Sequence, residues 1–296
     1  MNSNQNQVSY AFDDHSVSRL PSRPLGSILV DAGRLNRESV EDIVLIQREH
    51  KLMFGDAAIK LGLLDRDDID FALSRQFDCP RLLSGESGIS EEVVVLYRPE
   101  ETQVESLRRL RSKITNICFL GDKRKRLAIV SPGTREGRSF VTANLAVLLS
   151  QIGKRTVILD ADMRNPRQHL LFDLPMSDGL SKILSGRATI GAVQPVPKLP
   201  NLSVLSAGPQ PPNAQELLSR PVFNLVLGEL EQHFDAILID TPAAMHSSDC
   251  MVVAAAAQSA LIVLRRGVSR IADLDRTLRD LAWQEILVTG SVVNAF

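Results

Sequence analysis

The sequence predicts an α/β domain, a mostly parallel sheet with helices on both faces, preceded by a small all-helical domain. Three observations carry this. Beyond residue 101, six short apolar runs alternate with helical stretches: Leu127–Val130, Val157–Asp160, Leu202–Leu205, Ile237–Asp240, Leu261–Leu264 and Val288–Val293. The runs are continuous rather than alternating, the pattern of strands buried on both faces. Before residue 80 such runs are missing, and apolar residues recur there at helical spacing in two similar copies.

Bulk properties set the frame. A chain of 296 residues with 44% hydrophobic residues is long enough for one or two domains with a sizeable core. A formal charge of −1 speaks against a nucleic-acid partner or a membrane-binding field. Cys79, Cys118 and Cys250 are widely spaced and odd in number, so neither a disulfide framework nor a zinc site is indicated. The polar start "MNSNQNQVSYAFDDHS" lacks the apolar core of a signal peptide. The stretch Met251–Leu264 is shorter than the ~20 residues a bilayer span needs and is interrupted by Gln258 and Ser259. It reads as a packed helix running into a buried strand. These properties predict a soluble, cytoplasmic protein.

Along the chain, residues 1–22 are Asn/Ser/Gln-rich and read as a disordered arm. The helical domain, 23–80, holds the internal repeat. Leu25–Gln47 and Phe54–Gln76 align without a gap, matching Gly26 with Gly55, Gly33 with Gly62, and Val40 with Ile69. Each copy reads as a short helix, a glycine stop, an N-cap (Asn36 or Asp65) and a longer helix. Residues 81–100 read as a linker, and 101–296 as the α/β domain, opening on a basic helix over Glu101–Ile114.

The chemistry concentrates at three strand ends. After the run ending at Val130 comes "SPGTREGRSF", Ser131–Phe140, then the helical stretch "SFVTANLAVLLSQIG". A phosphate loop, G-x-x-x-x-G-K-[ST], requires this strand–loop–helix setting, in which backbone N–H groups and a helix N-terminus point at phosphates. Pro132 stands at its first glycine position and Arg138 at its lysine. Arginine can supply the cation, because guanidinium binds phosphate oxygens. Taken alone, the loop reads equally as a turn capped by Ser139. Two further runs end in carboxylates: "TVILDADMRNP" in Asp160 and Asp162, and "AILIDTP" in Asp240. Carboxyl ends of parallel strands are where such sheets bind ligands. Several carboxylates beside a Gly-Arg-Ser helix start are what Mg²⁺ with a nucleotide needs.

On these motifs the sequence resembles the bacterial tyrosine kinases (BY-kinases) of polysaccharide export, P-loop NTPases of the ParA/MinD-like branch. Within them it is most similar to EpsG-type chain-length-determinant kinases. The similarity also takes in "NPRQHLLF" (Asn165–Phe172), "NLSVLSAG" (Asn201–Gly208), "PPNAQELLSRP" (Pro211–Pro221) and "GSVVNAF" (Gly290–Phe296). The resemblance implies transfer of the γ-phosphoryl group of ATP to tyrosine. It implies that Thr134, Arg135, Glu136, Gly137, Arg138, Ser139 and Phe140 surround the nucleotide, and that Ser139, Asp162 and Asp240 hold Mg²⁺. Asp160 would orient or deprotonate the incoming hydroxyl, with Arg138 as catalytic cation. Asn294 would read adenine, or serve only as a strand-end turn residue. Glu105, Arg108 and Arg111, at helical spacing on one face, match the motif that joins such kinases into homo-oligomers; a solvated charged face is the plainer reading. A membrane chain-length determinant would be the partner, recruiting the protein to the inner face of the membrane.

One departure counts against autophosphorylation on a tyrosine cluster. The chain has two tyrosines, Tyr10 and Tyr97, and no tyrosine-rich tail. Phosphoryl transfer to another protein, an ATP-binding switch without transfer, and a ParA/MinD-like ATPase are the readings this leaves. The helical domain also resembles the N-terminal domain of MshE-type secretion ATPases, some of which bind cyclic di-GMP. Here Arg23 is displaced by one residue in the first copy and the second copy lacks an arginine, so docking or packing is the alternative.

Overall fold

A computed structural model describes residues 24–76, 81, 82, 85, 87–119, 124–176 and 178–295, with only the backbone described at 67, 70 and 74–76. The arm 1–22, with Tyr10, and Arg23 and Cys79 lie outside the described residues. The chain divides into two compact units, Met1–Cys79 and Pro80–Phe296.

Among the described residues the first unit contains four helices: α1 (Leu25–Asp31), α2 (Arg37–His50), α3 (Phe54–Lys60) and α4 (Arg66–Gln76). Leu29, Ile43, Ala57, Ala58 and Ala72 are its fully buried centre. The two longer helices start on side-chain caps. Asn36 Oδ1 accepts from the Ser39 N–H at 2.7 Å, and Asp65 Oδ1 accepts from the Asp68 N–H at 2.8 Å, each satisfying an otherwise orphaned N–H. Gly33 and Gly62 end the short helices at φ +70° and +67°, a left-handed turn that glycine adopts without steric cost. A Cβ on Gly26 would meet Val40 at 3.1 Å, and one on Gly55 would meet Ile69 at 3.0 Å. At these two glycines the short helix comes close to a side chain of the long one, while across the copies α1 packs on α4 and α2 on α3.

The second unit begins with α5 (Val94–Tyr97) and α6 (Thr102–Cys118). It continues through β1 (Arg126–Val130), α7 (Arg138–Gln151), β2 (Thr156–Asp160), α8 (Gln168–Leu171), α9 (Leu180–Leu184), β3 (Gln194–Pro195) and β4 (Leu202–Leu205). Then come α10 (Ala214–Leu218), α11 (Pro221–His233), β5 (Ala236–Asp240), α12 (Asp249–Ala257), β6 (Ser259–Arg265), α13 (Ile271–Trp283) and β7 (Leu287–Asn294). The sheet order is β3-β4-β2-β5-β1-β6-β7, all parallel except the two-residue edge strand β3. Every residue of β2 and β5 is buried, as expected when helices cover both faces. One core layer, with α5, α6 and α7, contains Leu127, Ile129, Leu145, Leu148 and Ile158. The other, with α9 to α13, contains Val130, Leu159, Phe223, Leu227 and Ile262.

The apolar stretch at 251–264 is α12 running into β6, as the sequence suggests. They are separated at Gln258, which turns at φ +61°. Among the described residues no helix is long and apolar enough to cross a membrane. Cys118 and Cys250 are buried and unbridged. The linker expected over 81–100 needs correction. Val93, Val95 and Leu96 are buried in the core of the second unit, and the Val95 N–H donates to Asn144 Oδ1 at 3.1 Å. A short apolar segment flanked by polar turns has paid its ordering cost by packing on α7.

Candidate nucleotide and metal site

β1 ends at Val130, and the segment 131–137 turns into α7 at Arg138. Arg135 and Gly137 have φ +57° and +99°. Left-handed residues within a tight turn aim successive N–H groups inward, the concave nest that binds anions. A cavity of about 760 Å³ opens over the turn, lined by Thr134, Arg135, Gly137, Arg138, Ser139, Phe140 and Asp162, with Arg164, Arg167 and Arg265 on its walls.

Within 134–140, Glu136 alone does not line this cavity. Its Oε2 accepts from the Gly133 N–H at 2.7 Å, and its Oε1 accepts from the Ser269 hydroxyl. Its carbonyl accepts from Asn294 Nδ2 at 2.8 Å, and the neighbouring Arg135 carbonyl from the Arg265 guanidinium at 3.2 Å. The loop is therefore held from behind by the β6–α13 turn and the end of β7. The Glu136 carboxylate braces the backbone, and the amide of Asn294 holds the loop through one of its hydrogens while bordering a second cavity.

Arg138 is attached in a similar way. Its side chain is buried, with Nε donating to the Thr241 carbonyl at 2.7 Å. One terminal nitrogen donates to the Gly133 carbonyl at 2.7 Å and to the Ser131 hydroxyl. A rigid fork of donors suits this triple attachment as a lysine would not. The guanidinium still borders the cavity, so its positive charge remains at the place where phosphates would lie.

The carboxylates follow from strand register. β2 and β5 pair Asp160 with Asp240, and β5 and β1 pair Asp240 with Ile129, so both acids stand at the carboxyl edge beside the loop. Asp160 is fully buried. Its Oδ2 accepts from the Arg167 and Gln168 N–H groups, both at 3.0 Å, and its Oδ1 from the Asp162 N–H at 3.2 Å. Burial, and then repulsion from Asp240, hold its carboxyl well above the usual range. Its lone pairs fold the 161–168 segment back on the strand, and it is not among the residues lining the cavity. Asp162 reaches the cavity while its Oδ1 accepts from the Arg164 and Asn165 N–H groups at 3.2 and 2.9 Å. Asp240 is 1% exposed. Its Oδ2 accepts from Gln168 Nε2 at 2.7 Å, while its Oδ1 is buried without a hydrogen-bond partner. Burial raises its pKa, and the Arg138 charge opposes the rise.

That orphaned oxygen tests the fit for a metal. Among the described residues no three His, Cys, Asp or Glu side chains converge as a full metal cage. Mg²⁺ does not require one, since it keeps several waters and takes one or two carboxylates beside phosphate oxygens. A buried carboxylate oxygen with nothing to accept, with the Ser139 hydroxyl beside that carboxylate and Asp162 in the cavity, fits such an ion.

Sequence reasoning missed three supports. Gln168 joins β2, β5 and α7. Asp249 is buried and pairs with Arg164 at 2.8 Å. Glu92 pairs with Arg167 at 2.6 Å. "NPRQHLLF" contains Gln168, but nothing in its spacing marks that residue as polar and inward. Glu105, Arg108 and Arg111 lie on α6 away from the cavity, with the Glu105 carboxylate 3.6 Å from both Arg108 and Arg109. Tyr97 is buried, its hydroxyl donating to the Ile89 carbonyl and 3.0 Å from the Ser87 hydroxyl.

A parallel sheet ordered in this way, with a nested loop before a helix and acids at the neighbouring strand ends, defines a P-loop NTPase of the MinD type. MinD of Pyrococcus horikoshii, solved with Mg-ADP, superposes over 58% of this chain and 70% of its own with a TM-score of 0.51 at 23% identity, a likeness of fold alone. No family model matches the chain. It is 35% identical over 199 residues to CapB of Staphylococcus aureus, whose name places it among tyrosine-protein kinases; the match covers 67% of this chain and 86% of CapB. The chimerical protein CapA2B2 superposes with a TM-score of 0.65 at 27% identity, over 75% of this chain and 96% of its own. The kinase domain of the Escherichia coli tyrosine kinase ETK gives 0.65 at 26%, over 69% of this chain and 79% of its own. Other relatives are much longer: the chain spans 27% of the tyrosine-protein kinase Ptk of Acinetobacter johnsonii, at 30% identity. The chain belongs to the bacterial tyrosine-kinase family and is by class a protein-tyrosine-kinase-like phosphotransferase.

Proposed function

We propose that the protein transfers the γ-phosphoryl group of Mg–ATP to tyrosine on another protein of a polysaccharide export system, working with a separate membrane chain-length determinant. The observation that supports this most is the cavity, lined by a phosphate nest, Ser139 and Asp162 on a kinase-family fold, with the buried Asp240 carboxylate beside Ser139. Bound there, Mg–ATP supplies the phosphoryl group and the metal charge that spreads over its oxygens. The chain's own part is positioning and neutralisation, which are most of what this transfer needs. The nest N–H groups and the α7 N-terminus hold the phosphates; Ser139, Asp162 and Asp240 hold the metal; Arg138 adds fixed positive charge. In the transfer, the bond from the γ-phosphorus to the ADP oxygen breaks as a bond to the tyrosine oxygen forms, and the hydroxyl proton leaves. Asp160, at the end of β2, is the group that would accept that proton. The EpsG-type placement, homo-oligomerisation through Glu105, Arg108 and Arg111, a cytoplasmic location at the membrane's inner face, and docking or cyclic di-GMP binding by the helical unit belong to the same proposal.

The test uses the full chain with γ-labelled ATP, Mg²⁺ and the cytoplasmic segment of a chain-length determinant. Label on tyrosine that disappears in Asp162→Asn and Asp240→Asn is the expected result. ATP binding with no labelled tyrosine overturns transfer and leaves a second reading, an ATP-gated assembly switch. Two observations favour that second reading. The Arg138 guanidinium is attached to its own loop, and Tyr97, the tyrosine among the described residues, has its hydroxyl buried. A ParA/MinD-like positioning ATPase ranks below both.

A further inference from the structure

Gln168 opens α8 and is fully buried. Its Nε2 donates to Asp240 Oδ2 at 2.7 Å and to the Ser139 carbonyl at 3.2 Å. Its backbone N–H donates to Asp160 Oδ2 at 3.0 Å. One residue thus ties the ends of β2 and β5 to the first turn of α7, and it places donors between two buried carboxylates that would otherwise face each other uncompensated.

A carboxamide offers two hydrogens and one acceptor. Both hydrogens are committed here, but Oε1 is buried with no donor, as is Oδ1 of the partnered Asp240. A buried acceptor left unpaired is destabilising. Two of them, on side chains joined by one hydrogen bond, point to a ligand that serves both: a cation for the carboxylate oxygen, and the hydrogens of its water shell for the amide. A residue needed only to fill space would be an apolar one, and would leave Asp240 free to turn.

We propose that Gln168 is the positioning residue of the metal site. It holds Asp240 by Oδ2 so that Oδ1 is left for Mg²⁺, and its Oε1 accepts a hydrogen from a water on that ion. The inference rests on the Mg–nucleotide reading of the cavity and not on transfer to tyrosine.

The test measures binding of a fluorescent ADP analogue to the full chain across a Mg²⁺ titration and again in EDTA. Gln168→Met keeps the volume and loses the polar group. Its Mg²⁺ requirement should rise about tenfold or more, the usual cost of losing an outer partner of a metal ligand, while affinity in EDTA stays within about a factor of two. Gln168→Glu, which sets a second carboxylate against Asp240, should raise the requirement further. Wild-type protein gives a readout independent of how the variants fold: Mn²⁺–ADP should broaden the side-chain amide NMR signals of Gln168. An unchanged Mg²⁺ requirement in a folded Gln168→Met, equal losses with and without Mg²⁺, or unbroadened wild-type signals would overturn the proposal. Normal Mg²⁺ dependence in a wild type that labels no tyrosine would sink the kinase reading alone.

Discussion

Asp160 and Asp240 stand side by side at the ends of adjacent strands, paired in register, each the last residue of a buried five-residue strand. The protein nonetheless uses them in opposite ways. Asp160 gives both oxygens to backbone N–H groups of the segment that follows it, whereas Asp240 gives one oxygen to Gln168 and keeps the other open. The strand places a carboxylate at the edge, and the next residues decide whether it builds the site or acts in it. After β2 the chain folds back within eight residues to Gln168. After β5, Thr241 instead turns its hydroxyl to the Ile129 carbonyl, and among the described residues the Asp240 carboxylate accepts from the side chain of Gln168 and from no backbone N–H.

The sharpest way to break this contrast is Asp160→Ala. It strands up to three buried N–H groups at ~1–3 kcal/mol each, so a loss of about 4 kcal/mol is expected in denaturant unfolding. A loss of stability below about 1 kcal/mol would remove Asp160 from its structural role. Next in size, Asp240→Asn should weaken Mg²⁺-dependent nucleotide binding by about 100-fold, measured by calorimetry, while changing stability little, since it replaces a desolvated charge. Arg138→Lys should loosen the loop, losing the Thr241 and Gly133 contacts together at about 1–3 kcal/mol; the reading is amide exchange at 131–137 against that of α7. Cys250, whose thiol burial pushes up to about 11, should resist alkylation at pH 8 until the protein unfolds, as a thiol count with and without denaturant will show. The smallest effect lies far from the site. Arg155 and Asp235 pair at 2.7 Å on the surface, and the Arg155 hydrogen bond holds the Asp235 carboxyl below the usual carboxylate range. A lowered acid stabilises the fold above its unfolded value and loses that contribution as pH falls through the folded one. Asp235→Asn should therefore lower stability slightly at neutral pH, and the difference should vanish as pH falls through the folded value, as denaturant unfolding of both proteins across an acid series will show.

Six strands of this fold are readable because buried parallel strands must be continuously apolar. The loop and the three acids are readable because ligand-binding edges recur at strand ends. What their side chains do is another matter. Arg138 meets Thr241, and Glu136 meets Ser269 and Asn294, partners more than a hundred residues away that no local pattern encodes. Gln168 looks like any polar residue at a helix start. The segment 93–97 sits between polar turns and reads as linker, because its burial is conferred by α7 and not by its own periodicity. β3, two residues long, is too short to show a period.

The attachment of the nucleotide loop to Asn294 also has a consequence in time. The loop leaves the ribosome early, yet the side chain that pins its Glu136 carbonyl is 158 residues further along. Local helices and the β1–α7 turn can form during synthesis, but closing such a long loop waits for the distant partner. Arrested nascent chains that stop short of β7 should therefore hold a formed β1–α7 unit that retains no ATP, and retention should begin when residue 294 clears the exit tunnel.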